Sequence, residues 1–131
     1  MRRSTSVREY MSRLPEEIDR RETLAAAVDR MAAHDVRHIP VMDGPAVYGV
    51  LSRADALDAW LRYGHRAREV AVGEVCTREP LEVSPVTPIG EVAAQMLERR
   101  VTSALVSDGH VLVGIFTSTD ALRVLAEQLA P

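Results

Sequence analysis

The sequence predicts an α+β fold made of two tandem β-α-β-β-α repeats, packed sheet to sheet with pseudo-two-fold symmetry. Three observations predict it: a gap-free internal duplication, apolar residues at helical spacing early in each copy, and an Asp-Gly turn between two apolar runs in each copy. A copy of about 55 residues is too small to cover its own short sheet. We therefore expect the two sheets to pack together and to place equivalent loops beside a shared cleft.

The duplication relates residues 7–60 to residues 72–125 at a constant shift of 65 positions. Fourteen of the 54 aligned pairs are identical, no gap is needed, and the identities cluster at turns. Such self-similarity is the mark of a repeat architecture. The division that follows is a flexible tail at 1–6, a first repeat at 7–63, a connector at 64–71 and a second repeat at 72–131.

Each repeat opens with a short extended segment, around Ile18 or Val83, followed by a one-sided helix. Leu24, Val28 and Met31 recur at three- and four-residue spacing in the first copy, as is typical of an amphipathic helix. The spacing predicts helices over Thr23–His34 and Pro88–Arg99. Thr87 before Pro88 predicts an N-cap followed by proline at the first helical position.

A β-hairpin and a closing helix complete each repeat. The turns are Asp43-Gly44 and Asp108-Gly109, where glycine accepts the positive φ that a tight turn needs. The predicted hairpin strands are His38–Met42, Val47–Leu51, Ser103–Ser107 and Val111–Phe116. The predicted closing helices are Arg53–Tyr63 and Ser118–Leu129.

Composition excludes several classes of function. All sixteen basic residues among the 131 are arginine, and there is no lysine, which excludes a Schiff-base or phosphate-loop lysine. A net charge of −3 and few aromatic residues disfavour nucleic acid as a partner. No apolar run is long enough for a membrane helix, and the N-terminus lacks a signal peptide's apolar stretch. A single cysteine predicts a reducing compartment, the cytoplasm.

The chemistry-bearing motif lies where each second hairpin strand ends. Gly49-Val50-Leu51-Ser52-Arg53-Ala54-Asp55 and Gly114-Ile115-Phe116-Thr117-Ser118-Thr119-Asp120 share glycine, two apolar residues, a hydroxyl, two variable positions and aspartate. The strand delivers the hydroxyl to a helix N-terminus, which favours anions. An aspartate one turn later suits a ribose diol. We expect the two glycines to let a ligand approach the backbone.

A second interpretation of the same motif needs no ligand. Ser/Thr-x-x-Asp at a helix start is a variant of the capping box, which stabilises a helix by roughly 1 kcal/mol. The two interpretations are compatible, since one hydroxyl can cap a helix and touch a ligand. The residues alone leave both open.

The tandem units, the His38-Ile39-Pro40-Val41-x-Asp43 segment and the two motif endings together resemble a CBS-domain pair, or Bateman module, from Val7 to about Leu129. The resemblance implies a regulatory module for AMP, ADP, ATP or S-adenosylmethionine, often assembled as a homodimer. It implies that the motif hydroxyl contacts phosphate and the motif aspartate contacts ribose. It also implies that the early extended segment and the start of the first hairpin strand wall the adenine.

Carried over to this chain, the resemblance nominates one ligand site in each repeat. The first comprises Ile18, Asp19, His38, Ile39, Pro40, Ser52 and Asp55, with Arg37 and Arg53 for distal charge. The second comprises Val83, Ser84, Ser103, Ala104, Leu105, Thr117 and Asp120. We expect unequal sites, because the second repeat has Ser103, Leu105 and Ser118 where the first has His38, Pro40 and Arg53.

Other side chains are assigned to structure rather than chemistry. His34 and His38 are four apart but fall on different predicted elements, so no metal site is expected. Cys76 aligns with Met11 and is expected to pack as a small apolar side chain. Trp60 and Tyr63 are expected in the core or in a dimer contact, and no catalytic motif is present.

The sequence thus predicts a non-enzymatic module that binds an adenosine ligand between its repeats and modulates a partner protein that the sequence does not identify. No resident cofactor is required. The alternative is a ligand-independent dimerisation scaffold of the same fold. Binding of single-stranded nucleic acid is a third and weaker alternative.

Overall fold

The computed structural model describes residues 5–13 and 15–131. Most of the predicted tail, residues 1–4, lies outside them, whereas the Thr5 carbonyl accepts a 2.8 Å hydrogen bond from the Ile89 N–H. The chain forms two compact units. The central unit spans Glu16–Pro80, and the terminal unit combines the N-terminal segment up to Pro15 with Leu81–Pro131.

The elements alternate as the duplication predicts, and the α+β fold of tandem repeats is confirmed. The strands are β1 (Ser12–Arg13), β2 (Ile18–Asp19), β3 (His38–Asp43), β4 (Ala46–Ser52), β5 (Thr77–Arg78), β6 (Glu82–Val83), β7 (Ser103–Asp108) and β8 (Val111–Thr117). The α-helices are α1 (Leu24–Ala33), α2 (Arg53–Tyr63), α3 (Ile89–Arg99) and α4 (Ser118–Gln128). Short 3-10 turns lie at Val7–Glu9, Gly64–Glu69 and Val72–Glu74.

The central unit is a four-stranded sheet in the order β2-β3-β4-β5 with α1 and α2. Strand β2 is parallel to β3, and β3 and β4 form the predicted antiparallel hairpin, which turns at Gly44 with φ +59°. Helix α1 turns the apolar residues Leu24, Ala27 and Met31 into the core. Burial of this stripe, rather than helix propensity, stabilises so short a helix.

The terminal unit repeats the arrangement with the strand order β1-β8-β7-β6. Strands β6 and β7 are parallel, and β7 and β8 form the second hairpin, with Gly109 at φ +66°. Its core is built around Phe116, Val92 and Val106, all fully buried. The same sequence pattern therefore gives the same fold twice.

The compact units do not coincide with the sequence repeats. Strand β1 belongs to the first repeat, but it pairs with β8 of the second; β5 opens the second repeat, but it pairs with β4 of the first. Both edge strands are two residues long, which is too short for an alternating pattern to predict. Each sheet therefore takes three strands from one repeat and its fourth from the other.

These edge strands overturn the expected role of the two motif glycines. A Cβ on Gly49 would lie 2.4 Å from the Thr77 carbonyl oxygen and 2.8 Å from the Cys76 sulfur. A Cβ on Gly114 would lie 2.5 Å from the Met11 sulfur. The expectation that these glycines admit a ligand is wrong: they admit the neighbouring edge strand and the side chain before it.

The predicted helix bounds hold to within one residue, but the predicted cap at Thr87 is wrong. Pro88 is extended (φ −60°, ψ 140°) and is itself the N-cap of α3, while the Thr87 hydroxyl lies 3.2 Å from that of Ser84. At the equivalent position of the first repeat, Thr23 caps α1 by accepting from the Ala26 N–H at 3.1 Å. Within the described residues, no helix is long and apolar enough to cross a membrane.

Candidate functional site

The first motif lies at the end of the β3–β4 hairpin in the central unit. His38, the first residue of β3, faces Ser52, the last residue of β4, across the sheet. Helix α2 begins at the next residue, and the Ser52 hydroxyl oxygen accepts from the Asp55 N–H at 3.0 Å. The Arg53 N–H donates to the Arg37 carbonyl at 2.7 Å. Hairpin register and helix start thus bring five of the nominated residues to one place.

Three charged side chains of this site, Arg37, Arg53 and Asp55, are exposed. The Asp55 carboxylate and the guanidinium groups of Arg37 and Arg53 have no hydrogen-bond or ion-pair partner among residues 5–13 and 15–131. Both arginines also line a pocket of about 240 Å³, whose apolar walls include Met31 and Ala56 of α1 and α2. This end of the central unit combines a carboxylate, two cations and a helix N-terminus, the chemistry expected for a ligand with a diol and an anionic group.

Asp19 is nominated for the same site, but its carboxylate already has a partner. Its Oδ1 accepts from the Arg21 N–H at 2.8 Å, and the Arg21 guanidinium lies 3.2 Å from Oδ2. The hydrogen bond from the Arg21 backbone, followed by the charges of Arg21 and Arg20, holds the pKa of Asp19 below its usual value. A ligand would compete with Arg21 for this carboxylate.

The apolar residues nominated for the first site lie beneath it. Ile18, Ile39 and Pro40 are fully buried, and the first two belong to the core of the central unit. Their side chains are not exposed in this structure. Their role in walling the adenine stays a prediction.

The second motif, in the terminal unit, has the same backbone frame and different side-chain contacts. Ser103 faces Thr117 across the β7–β8 pair, and α4 begins at Ser118. Here the aspartate completes a capping box: Asp120 Oδ2 accepts from the Thr117 N–H at 2.9 Å and from the Thr117 hydroxyl at 3.2 Å. Asp120 is only 4% exposed. The capping interpretation is therefore confirmed for this repeat.

The remaining oxygen of Asp120 is held by Arg123, which the sequence motif does not include. Arg123 Nη1 donates to Asp120 Oδ1 at 2.8 Å along the same helix. The spacing of three residues indicates this ion pair, because positions i and i+3 are neighbours on a helix surface. Arg21 lies outside the helices, in the turn that follows β2, so helix spacing does not indicate its contact with Asp19.

The other nominated residues of the second repeat are committed to packing or to a turn. Ala104 and Leu105 are fully buried, and Val83 and Ser103 nearly so. The Ser84 hydroxyl contacts Thr87, and its carbonyl accepts from the Thr87 N–H at 3.1 Å. None of these five side chains forms an open site with Asp120.

The described residues hold no cluster of three or more His, Cys, Asp or Glu side chains that could bind a metal ion. His34 lies 3.5 Å from Glu16. Cys76 packs against the core of the central unit, as expected, and burial raises the pKa of its thiol. Trp60 packs against the same core, with the Arg68 guanidinium 5.9 Å from its ring centre.

Comparison with known proteins gives the same two repeats. The family model of the CBS domain matches residues 7–62 and again residues 72–127. Hypoxic response protein 1 of Mycobacterium tuberculosis is 30% identical over 124 residues, covering 94% of this chain and 87% of that protein. A crystal structure of hypoxic response protein I, with two coordinated zinc ions, matches with a TM-score of 0.78 at 28% identity, covering 91% and 98% of the two chains.

Two further crystal structures match almost the whole chain. One is a protein assigned to acetoin utilization (AcuB) from Vibrio cholerae, with a TM-score of 0.83 at 30% identity and coverage of 97% and 94%. The other is the CBS domain pair of protein MJ0100 in complex with 5′-methylthioadenosine and S-adenosyl-L-methionine, with a TM-score of 0.88 at 22% identity and coverage of 96% and 99%. With two matched domains, the duplicated hairpins and the paired motifs all in agreement, this chain belongs to the CBS-domain family, as a CBS pair.

Proposed function

We propose that this CBS pair is a regulatory module that binds an adenosine ligand, AMP, ADP, ATP or S-adenosylmethionine, and relays its occupancy to a partner protein. CBS pairs are in general regulatory rather than catalytic. Relay requires that the ligand bind one arrangement of the protein more tightly than another. No chemical step on the ligand is part of this proposal.

The observation that carries the proposal is the open first motif. Asp55 is exposed one turn into α2, its carboxylate has no partner among the described residues, and Ser52 caps that helix. An unpaired aspartate in a family whose structures hold 5′-methylthioadenosine and S-adenosylmethionine supports a ribose contact. A carboxylate suits a diol because it can accept a hydrogen bond from each hydroxyl.

The remaining roles follow from charge. The Ser52 hydroxyl and the first N–H groups of α2 face a phosphate or carboxylate of the ligand. Arg37, His38 and Arg53 lie beside them for the distal charge. The chain has no lysine, so arginine and histidine are its side-chain cations.

A thermal-shift panel of AMP, ADP, ATP, S-adenosylmethionine and NAD tests the proposal. A ligand at one hundred times its Kd adds about 2.7 kcal/mol of stability, a rise of several degrees in Tm for a chain of this size. We expect at least one adenosine compound to raise Tm by that amount. No shift with any of the five would overturn the proposal.

A matched pair of variants assigns the shift to the motif. Asp55→Ala removes the ribose acceptor and is expected to abolish the ligand-induced shift. Asp58→Ala removes another exposed carboxylate of α2, which pairs with Arg62 at 3.4 Å. This variant is expected to keep the ligand-induced shift in Tm. Equal shifts in both variants would exclude the ribose role of Asp55.

The alternative is a scaffold that needs no ligand, and the second motif favours it. Asp120 is used there entirely as a helix cap and ion-pair partner. If both motifs served only as caps, Asp55→Ala would leave every property but helix stability unchanged. The ligand panel separates the two functions directly.

Self-association in the reducing cytoplasm completes the proposal. Helix α4 and its C-cap Leu129 expose Leu122, Leu125 and Leu129 at three- and four-residue spacing, an apolar stripe of the kind that contacts between subunits bury. The half-buried thiol of Cys76 suits a reducing compartment. Light scattering is expected to give twice the chain mass, and a monomer at micromolar concentration would exclude the homodimer.

A further inference from the structure

The two motif aspartates differ in what occupies their carboxylates. Asp120 accepts the Thr117 N–H and hydroxyl on Oδ2 and the Arg123 guanidinium on Oδ1, and its side chain is 5% exposed. Asp55 is exposed and accepts from no described residue. A ribose diol needs an accessible carboxylate, so only Asp55 offers one without a rearrangement.

The difference traces to the residue three positions after each aspartate. Arg123 follows Asp120, and at the equivalent place, 65 positions earlier, Asp58 follows Asp55. Asp58 turns to Arg62 one turn later, with 3.4 Å between Arg62 Nε and Asp58 Oδ2. A like charge at i+3 cannot cover Asp55, whereas the cation at i+3 covers Asp120.

We infer that Arg123 closes the second motif to ligand, so that this CBS pair binds a single adenosine ligand per chain, at the Ser52–Asp55 motif. The inference rests on the proposed function and adds which motif is used and which residue excludes the other. Arg123 acts here as a specificity-determining residue. It does so by holding the acceptor that a ribose would need.

The closed state is held by complementary contacts rather than by bulk. The hydrogen bond from the guanidinium to the buried carboxylate is charge-assisted. The two cap hydrogen bonds to the same carboxylate stabilise the start of the helix. A ligand at the second motif would have to break the 2.8 Å contact between Arg123 and Asp120 before gaining its own. At the first motif, no contact of the Asp55 carboxylate with a described residue has to be broken.

Equilibrium dialysis with tritiated AMP and with tritiated S-adenosylmethionine tests the inference through stoichiometry. The wild-type chain is expected to bind one equivalent of the ligand that it recognises. Arg123→Gln removes the guanidinium but keeps a good helix former, and is expected to bind two. Circular dichroism establishes that both proteins keep their helices.

A reciprocal variant places an arginine beside the aspartate of the first motif, where it is expected to block ligand binding. Asp58→Arg places a guanidinium three residues after Asp55, at a position that is 71% exposed, so the fold tolerates it. We expect it to weaken binding at the first motif about tenfold or more, the loss expected when a hydrogen bond to a charged group must be given up. Arg62→Gln is the control, because it removes the same Asp58 ion pair without adding a cation beside Asp55.

The outcomes separate this inference from the proposed function. Two equal sites on the wild-type chain, one site on Arg123→Gln, or unchanged affinity in Asp58→Arg would each overturn the closure by Arg123 and leave ligand sensing intact. Binding of neither probe to wild type or to Arg123→Gln, together with no thermal shift from any compound of the panel, would remove the proposed function, and the inference with it.

Discussion

The ends of the two hairpins share one backbone arrangement but differ in the contacts of their aspartates. Both present a hydroxyl at a helix N-cap and an aspartate three residues later, on the same register of two antiparallel strands. Asp55 is exposed and has no partner in the part of the chain that the structure describes, whereas Asp120 is buried in a capping box and held by Arg123. The motif therefore fixes where an aspartate lies, and its neighbours decide whether the carboxylate is available.

The comparison extends to the strands beneath the motifs. Gly49 and Gly114 both make room for an edge strand, but the atoms that press on them differ. Beside Gly49 the nearest atom is the Thr77 carbonyl oxygen, which belongs to a hydrogen-bonded strand. Beside Gly114 the nearest atoms belong to the flexible side chain of Met11.

The largest expected effect is therefore a difference in stability between glycine-to-alanine substitutions at Gly49 and at Gly114. Gly49→Ala forces a Cβ to within 2.4 Å of the Thr77 carbonyl oxygen and is expected to lower the free energy of unfolding by about 3 kcal/mol. Gly114→Ala is expected to cost about 1 kcal/mol, because the Met11 side chain can turn aside and the Ser12 carbonyl oxygen, at 2.9 Å, needs a smaller shift. Urea unfolding measures both.

Gly90→Ala is the control for the chemical change alone. Gly90 lies in α3 with nothing within 4 Å of an added Cβ, so alanine is expected to stabilise the protein by about 1 kcal/mol. Equal costs at Gly49 and Gly114 would show that the edge strands press equally on the two hairpins.

An effect of intermediate size is expected when each motif aspartate is replaced by alanine, because the two substitutions differ in their cost to the free energy of unfolding. Asp120→Ala removes the cap acceptor and leaves Arg123 without its partner, and is expected to cost about 2 kcal/mol. Asp55→Ala removes no hydrogen bond made by the carboxylate and is expected to cost about 0.5 kcal/mol or less, chiefly from the helix dipole. Comparable losses in urea unfolding would mean that Asp55 also serves as a structural cap in solution.

The smallest expected effect depends on pH and belongs to the terminal unit alone. The Tyr10 hydroxyl donates a short hydrogen bond to Glu127 of α4, and this bond, followed by desolvation and the charge of Glu127, raises the pKa of Tyr10. The equivalent positions in the central unit are Val75 and Arg62, which form no such pair. Because the folded pKa is the higher one, the contribution is complete below the unfolded pKa and is lost as pH rises through the folded pKa.

We expect Tyr10→Phe to have a lower Tm than wild type at pH 8, with the gap narrowing from about pH 10 upward, where a free phenol ionises. Tyr63→Phe, at an exposed tyrosine of α2, controls for general alkaline effects. A gap that stays constant to pH 11 would show that the hydroxyl of Tyr10 contributes no proton-linked stability.

Several elements could be predicted from the sequence because their signals are local. The spacing of Leu24, Val28 and Met31 predicts α1 to within one residue at each end, and the Asp-Gly pairs locate both hairpin turns. The duplication predicts that the helices and strands of one repeat recur 65 residues later in the other. The ion pair between Asp120 and Arg123 could also be predicted from the sequence, since it joins neighbours on one helix.

Sequence reasoning missed one local turn and the burial of two apolar side chains. The cap at Pro88 differs from the predicted cap at Thr87 because Thr87 is drawn into a turn with Ser84. The side chains of Ile39 and Ala104 lie in the cores of their units, and their role as ligand walls stays a prediction. Burial is a property of the packed chain and has no local signature at a single apolar residue.

The sequence by itself therefore determined the repeat, the hairpins, the four α-helices and the place of each motif, because periodicity and turn chemistry act over a few residues. Tertiary structure alone decided that each repeat lends an edge strand to the other's sheet, that the motif glycines serve those strands, and that Asp120 is buried while Asp55 is not. The physical reason is that pairing of two-residue strands and the accessibility of a carboxylate depend on which distant segments pack against them.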